Sequence, residues 1–195
     1  MGVTVTNLTL GPGEMFHGKL GATEPTDTEI TKDMTEVTSA TEWTDMGGTQ
    51  GGITLELNQE YTELEVDQVV DIPGRRLTKR EFKLNTNLAE PTLENYQLAS
   101  NGGEITEDVG FRTYEPSMDD SGDTPTYAAL VFDGYGPNSL KRRVIARRVL
   151  NVASVGQEYM KDSQTLFPVE FSCHYVSKSV RPFRYVDEAE TVPAG

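Results

Sequence analysis

The sequence is poor in the residues that carry most covalent chemistry. One cysteine, Cys173, stands among 195 residues. That excludes an internal disulfide framework and a cysteine-based zinc site. There are two histidines, His17 and His174, and one tryptophan, Trp43. The longest apolar run, Tyr127 to Phe132, is six residues, far short of the roughly 20 that a membrane-spanning helix needs. Residues 1–10 have neither a basic start nor an apolar core, so no secretory leader is expected. Bases are scarce: 17 Lys and Arg stand against 31 Asp and Glu, a net charge of −14. Direct nucleic-acid binding needs clustered bases on phosphates, so that balance argues against it. At 36% hydrophobic residues the chain is too apolar to be disordered and lean for a compact enzyme. Its length suits one domain, or one domain with arms.

The acids are not spread evenly. Residues 1–70 carry a net −11, residues 71–139 a net −6 and residues 140–195 a net +3. Five bases, Lys141, Arg142, Arg143, Arg147 and Arg148, crowd into one short run. A solvated acidic surface with one basic strand accounts for this. So does a molecule with an acidic and a basic side, able to stack on copies of itself. In that second case the basic run is an inter-subunit contact.

Residues 1–42 read as an N-terminal arm and loop, broken at Gly11-Pro12-Gly13 and sparse in large apolar residues from Gly21 to Thr41. A core is expected over 43–177. Gly47 to Gly52 is a glycine-rich turn. From Ile53 the period is two: Ile53, Leu55 and Leu57 face one way, Thr54, Glu56 and Asn58 the other. Pro73-Gly74 signals a turn. Alternation returns at Arg76 to Thr86, with Phe82, Leu84 and Leu88 against Glu81, Lys83 and Asn85. Leu88, Thr92, Tyr96 and Ala99 then form one helical stripe, predicting a helix near 88–99. Its start is either Asn87 paired with Glu90 as a cap, or Glu90 with Pro91 at the first helical position. Glu104 to Pro125 reads as a mobile loop. Strands are predicted at Thr126–Asp133, Arg143–Val155 and Leu166–Val176, and 178–195 is expected to be a C-terminal arm anchored by Pro182, Phe183 or Tyr185. The class is mainly β: a sandwich or barrel of about six to eight strands with one flanking helix.

No catalytic constellation emerges, and no cofactor or metal is expected. Cys173 and His174 adjoin, but strand alternation sends them to opposite faces. Gly47 to Gly52 lacks the Lys-Ser or Lys-Thr and the following helix of a phosphate loop. Asp119, Asp120 and Asp123 do not match calcium-loop spacing. The chain is therefore not expected to be an enzyme.

The stretch from Trp43 to Gly103 carries a resemblance. It contains a Trp, then Gly-Gly, then a strand at Trp43 to Leu57. Glu65-Val66-Asp67-Gln68 leads into Pro73-Gly74, and Leu88-Ala89-Glu90 into Thr92-Leu93-Glu94-Asn95. Gly21 to Asp27 and Arg181 to Glu188 add to it. The chain resembles the tail tube (major tail) proteins of long-tailed, non-contractile bacteriophages. That resemblance implies a structural virion protein whose β-sandwich subunits form hexameric rings stacked into a hollow tube, through which phage DNA passes without specific binding. It also implies tape-measure, tail-tip and tail-terminator proteins as partners, no membrane insertion, assembly in the host cytoplasm and residence in the phage tail. Candidate lumen-facing residues are Glu56 and Asn58 on one strand and Glu81, Lys83 and Asn85 on the next. The candidate inter-subunit residues are Pro73 and Gly74 with Lys141, Arg142, Arg143, Arg147 and Arg148. The alternatives are another virion β-protein, such as a head–tail completion or capsid decoration protein, or a β-sandwich ligand-binding module.

Overall fold

The computed structural model of the protein describes residues 11–67, 70–117 and 124–189. The architecture is mainly β, as the sequence pattern implies. The strands are β1 (Glu14–Lys19), β2 (Trp43–Asp45), β3 (Thr49–Leu64), β4 (Gly74–Leu88), β5 (Glu104–Asp108), β6 (Phe111–Glu115), β7 (Ala128–Tyr135), β8 (Lys141–Asn151), β9 (Phe167–Cys173) and β10 (Phe183–Asp187). Among the described residues one α-helix, α1, spans Leu93–Ala99. Eight strands join in one antiparallel sheet of order β2-β1-β7-β8-β9-β4-β3, with β10 also paired to β8. The β5–β6 hairpin stands apart.

β8 is the hub because its two ends use different neighbours. β7 runs along one side of it. On the other side β10 pairs with residues 142–146, and β9 with residues 149–151. Both faces of this strand are covered, which explains why its sequence shows no alternation. On one face Val144, Ala146 and Val149 join Met15, Leu130, Leu84, Phe167 and Phe171, with Ala99 of α1 against them. On the other, Ile145 joins Phe16, Val131 and Trp43 beneath Met34 and Val37.

Those last two residues belong to the segment expected to be a loosely packed arm. Instead, residues 27–42 form a cap on the sheet, with Ile30, Met34 and Val37 buried. β1 is an interior strand between β2 and β7, and β10 brings the C-terminal region into the sheet as well. The reason is spacing: Ile30, Met34 and Val37 recur every three or four residues, enough to seal one face of a short turn-rich segment. Buried Glu29 ties the cap together by accepting bonds from the Thr38 backbone N–H at 2.9 Å and hydroxyl at 2.6 Å.

Two further expectations are corrected. The helix begins at Leu93, not near 88, and Leu88 ends β4. A proline at 91 disfavours helical geometry in the residue before it, and the Thr92 hydroxyl caps the helix by accepting from the Asn95 N–H at 3.2 Å. Residues 104–115 of the predicted loop are the β5–β6 hairpin, whose turn needs Gly110 at φ +89°. Asp119, Asp120 and Asp123 lie outside the described residues.

Candidate assembly surfaces

β3 and β4 are far longer than the sheet that supports them. β9 covers the outer edge of β4 only from Lys83 to Leu88. Beyond that point the two strands pair only with each other, from Leu57–Phe82 out to Leu64–Gly74. At about 3.3 Å per residue, the seven residues from Asn58 to Leu64 carry the hairpin roughly 20 Å past its support. The face that continues the core face is mixed: Leu84 and Phe82 are buried, while Leu57, Tyr61 and Leu77 are about half exposed and alternate with the Gln59–Arg80 and Glu63–Arg75 pairs. At the tip Leu64, Val66 and Ile72 are equally open. Pro73 and Gly74 close this tip, with Gly74 already paired to Leu64 as the first residue of β4. The outer edge of β3 pairs with no strand among the described residues.

The five candidate lumen residues come together. Register places Glu56 opposite Lys83, Asn58 opposite Glu81 and Thr54 opposite Asn85, and directly paired residues share a face. β9 extends the face, setting Ser172 beside Lys83 and Glu170 beside Asn85. Lys83 does not break its acidic character. Its ammonium lies 2.7 Å from Glu170 and 3.9 Å from Glu81, and these contacts hold the lysine above its ordinary pKa. A hydrogen bond from the Ser172 hydroxyl holds the Glu81 carboxyl below its own. With Glu56, three carboxylates surround one lysine. The face lies on the same side of the sheet as the cap, which covers the other end of it.

The basic run is placed differently from the expectation. Arg143 is buried, 1% exposed. It forks onto Asp133, directly opposite on β7, at 2.7 and 2.6 Å, and donates to the carbonyls of Glu29 and Lys32 in the cap. Lys141 pairs with Asp33, Arg142 with Asp187 and Arg147 with Glu24. The acidic N-terminal third does meet the basic strand, but within one chain. A central strand draws counter-charges from its own neighbours before any second copy can supply them. Arg148 has no carboxylate partner among the described residues; its guanidinium lies 3.9 Å over the Tyr127 ring.

Cys173 and His174 do not form a reactive pair. Burial pushes the Cys173 thiol up to about 12, and His174 Nδ1 meets the Ser172 carbonyl oxygen at 3.0 Å while its ring packs on Tyr127. Among the described residues no cluster of His, Cys, Asp or Glu could hold a metal ion, and no helix is long and apolar enough to cross a membrane.

His17, in β1, was not singled out by the sequence. Its Nε2 is buried with no hydrogen-bond partner among the described residues. Burial pushes its pKa below the ordinary value, only partly opposed by the negative charge of Glu94 on α1. The unfolded chain therefore binds this proton more readily than the folded one, and stability falls as pH drops through about 6.5. The melting temperature is expected to decline from pH 7 to pH 5, and His17→Gln to flatten that decline. An equal slope in the variant would refute the assignment. Below about pH 5 a second loss follows, because Glu29, Asp33, Glu81 and Asp187 are held below their ordinary values by hydrogen bonds and cations that protonation breaks.

The chain matches no protein-family model and none of the curated proteins compared with it.

Proposed function

We propose that this chain is a structural subunit that assembles with copies of itself into stacked rings, forming the tail tube of a long-tailed, non-contractile bacteriophage. The observation that carries the reading is the overhanging β3–β4 hairpin. Among the described residues, a single copy leaves Leu57, Tyr61 and Leu77 of that hairpin about half exposed and its outer edge unpaired. Monomeric proteins usually blunt such edges with lysines, prolines or short strands; β3 has sixteen residues with no Lys, Arg or Pro. A neighbouring copy would cover the face and pair the edge by strand addition. Rings close cyclically, while stacking repeats without closing.

Under this reading the protein performs no covalent step. The face bearing Glu56, Asn58, Glu81, Lys83, Asn85 and Glu170 is the candidate lumen wall. Its surplus of carboxylates repels phosphates, so no counterions are released on contact and DNA has no site at which to stick. The repulsion reaches about 8 Å at physiological salt, and water and ions fill the gap. Six-fold rings, residence in the virion, and tape-measure, terminator and tail-tip partners come from the family resemblance.

Negative-stain microscopy of concentrated purified protein tests the reading. Rings or tubes of uniform bore are expected. Particles that stay monomeric at every concentration would end it.

A further inference from the structure

The self-assembly reading leaves open what the hairpin tip touches. A cavity of about 400 Å³ opens on the capped side of the sheet. Its floor is apolar, made by Trp43, Ala129 and Ile145, and Leu20 and Val180 stand at its mouth, 52% and 38% exposed. Arg147 and Arg148 line its side. Arg147 is matched by Glu24 and donates at 2.7 Å to the carbonyl of Arg181, which places residue 181 beside the cavity. Arg148 has the Tyr127 ring and the Tyr175 carbonyl as partners, but no carboxylate among the described residues. Lys178 and Arg181 flank Val180 in sequence, are exposed, and enter no ion pair among the described residues. The cavity thus combines an apolar floor with one lining cation, Arg148, that has no carboxylate partner among the described residues, and two more exposed cations, Lys178 and Arg181, lie on the chain segment beside it.

The hairpin tip has the complementary composition. Leu64, Val66 and Ile72 are exposed, and Glu65, Asp67 and Asp71 lie between and beside them. None of those three carboxylates enters an ion pair among the described residues, and no base occurs from Leu64 to Pro73. The apolar and acidic residues alternate, so a side chain entering an apolar floor brings a carboxylate to its rim.

We propose that the β3–β4 tip of one copy seats in this cavity of a second copy, with Leu64, Val66 and Ile72 on the apolar floor and Glu65, Asp67 and Asp71 facing Arg148, Lys178 and Arg181. The inference rests on the self-assembly reading and supplies its contact. Because the tip and the cavity are different patches, each copy both gives and receives, and the contact propagates. Matched charge at the rim also discourages other surfaces of this acidic chain from competing for the site.

Two experiments test it. In a Cys173→Ser background, Val66→Cys and Val180→Cys are placed on separate copies, mixed under assembly conditions and oxidised. A disulfide-linked heterodimer is expected from the mixture and from neither variant alone. Rings or tubes in the mixture with no heterodimer would overturn the contact and leave the self-assembly reading intact. A wild-type chain that never assembles would overturn both. The second experiment reverses charge. A copy with Glu65→Lys, Asp67→Lys and Asp71→Lys, and a copy with Arg148→Glu and Arg181→Glu, should each need at least tenfold more protein to assemble. Mixed, they should assemble near the wild-type concentration, because each tip then meets a cavity of opposite sign. Tip-reversed protein that assembles alone as readily as wild type would refute the proposal.

Discussion

Replacing Asp133 with alanine is expected to cost about 3–5 kcal/mol of stability, because it strands a buried guanidinium. The Arg143 side chain is 2% exposed and that of Asp133 12%. The nearest other acid, Asp33, is already paired with Lys141. The remaining acceptors are the Glu29 and Lys32 carbonyls, which solvate the charge without neutralising it. Arg142 and Asp187 sit opposite each other on β8 and β10 with the same forked geometry. Their side chains, however, are 32% and 46% exposed, so Asp187→Ala should cost at most about 1 kcal/mol. Urea unfolding of the two variants measures the difference. Equal midpoints would show that burial does not govern the Arg143 pair. Because Arg143 also holds the cap, the Asp133 variant should lose amide protection first around residues 27–42.

The second large effect falls on assembly rather than on folding. Changing Leu57, Tyr61 and Leu77 together to serine removes the apolar stripe of the overhang, and assembly is expected to stop. All three side chains are already about half in water in the isolated chain, so each change should move folding stability by only about 0.5 kcal/mol. Phe82, one pair further in, is the contrast. It is buried and its ring stacks on Phe183 at 4.1 Å, so Phe82→Ala should cost about 3–5 kcal/mol. Microscopy and thermal melts on the same preparations separate the two outcomes. A triple variant that still forms rings would remove the stripe from the account, and one that melts with Phe82→Ala would show that the overhang is structural.

What the sequence revealed follows from how many faces of an element are buried. β3 and β4 each have one polar face, so alternation alone placed Glu56 and Asn58 together, and Glu81, Lys83 and Asn85 together. Register then joined the two groups. β8 and β1 are packed on both faces, and a strand buried on both sides leaves no alternating trace. For that reason Arg143 read like Arg142, although one is interior and the other is not. The available signal was Asp133, a lone acid ending the apolar run of β7 and needing a partner. The cap was missed because three apolar residues, Ile30, Met34 and Val37, are few among Thr, Glu and Asp, yet they suffice when a ready-made sheet face lies beneath them. The helix start was misplaced because Leu88 continued the helical stripe while also ending the alternation of β4. Both periods fit that one residue, and Pro91 decided between them.

The composition of β3 also bears on symmetry. Its open edge carries Glu56, Glu60 and Glu63 and no base. Two copies joined antiparallel through this same edge would bring acid against acid, and like charges directly opposite in a ladder are destabilising. A two-fold dimer built on β3 is thereby disfavoured. The edge is left open to a different strand of its neighbour, and only such a directional contact can be repeated around a ring.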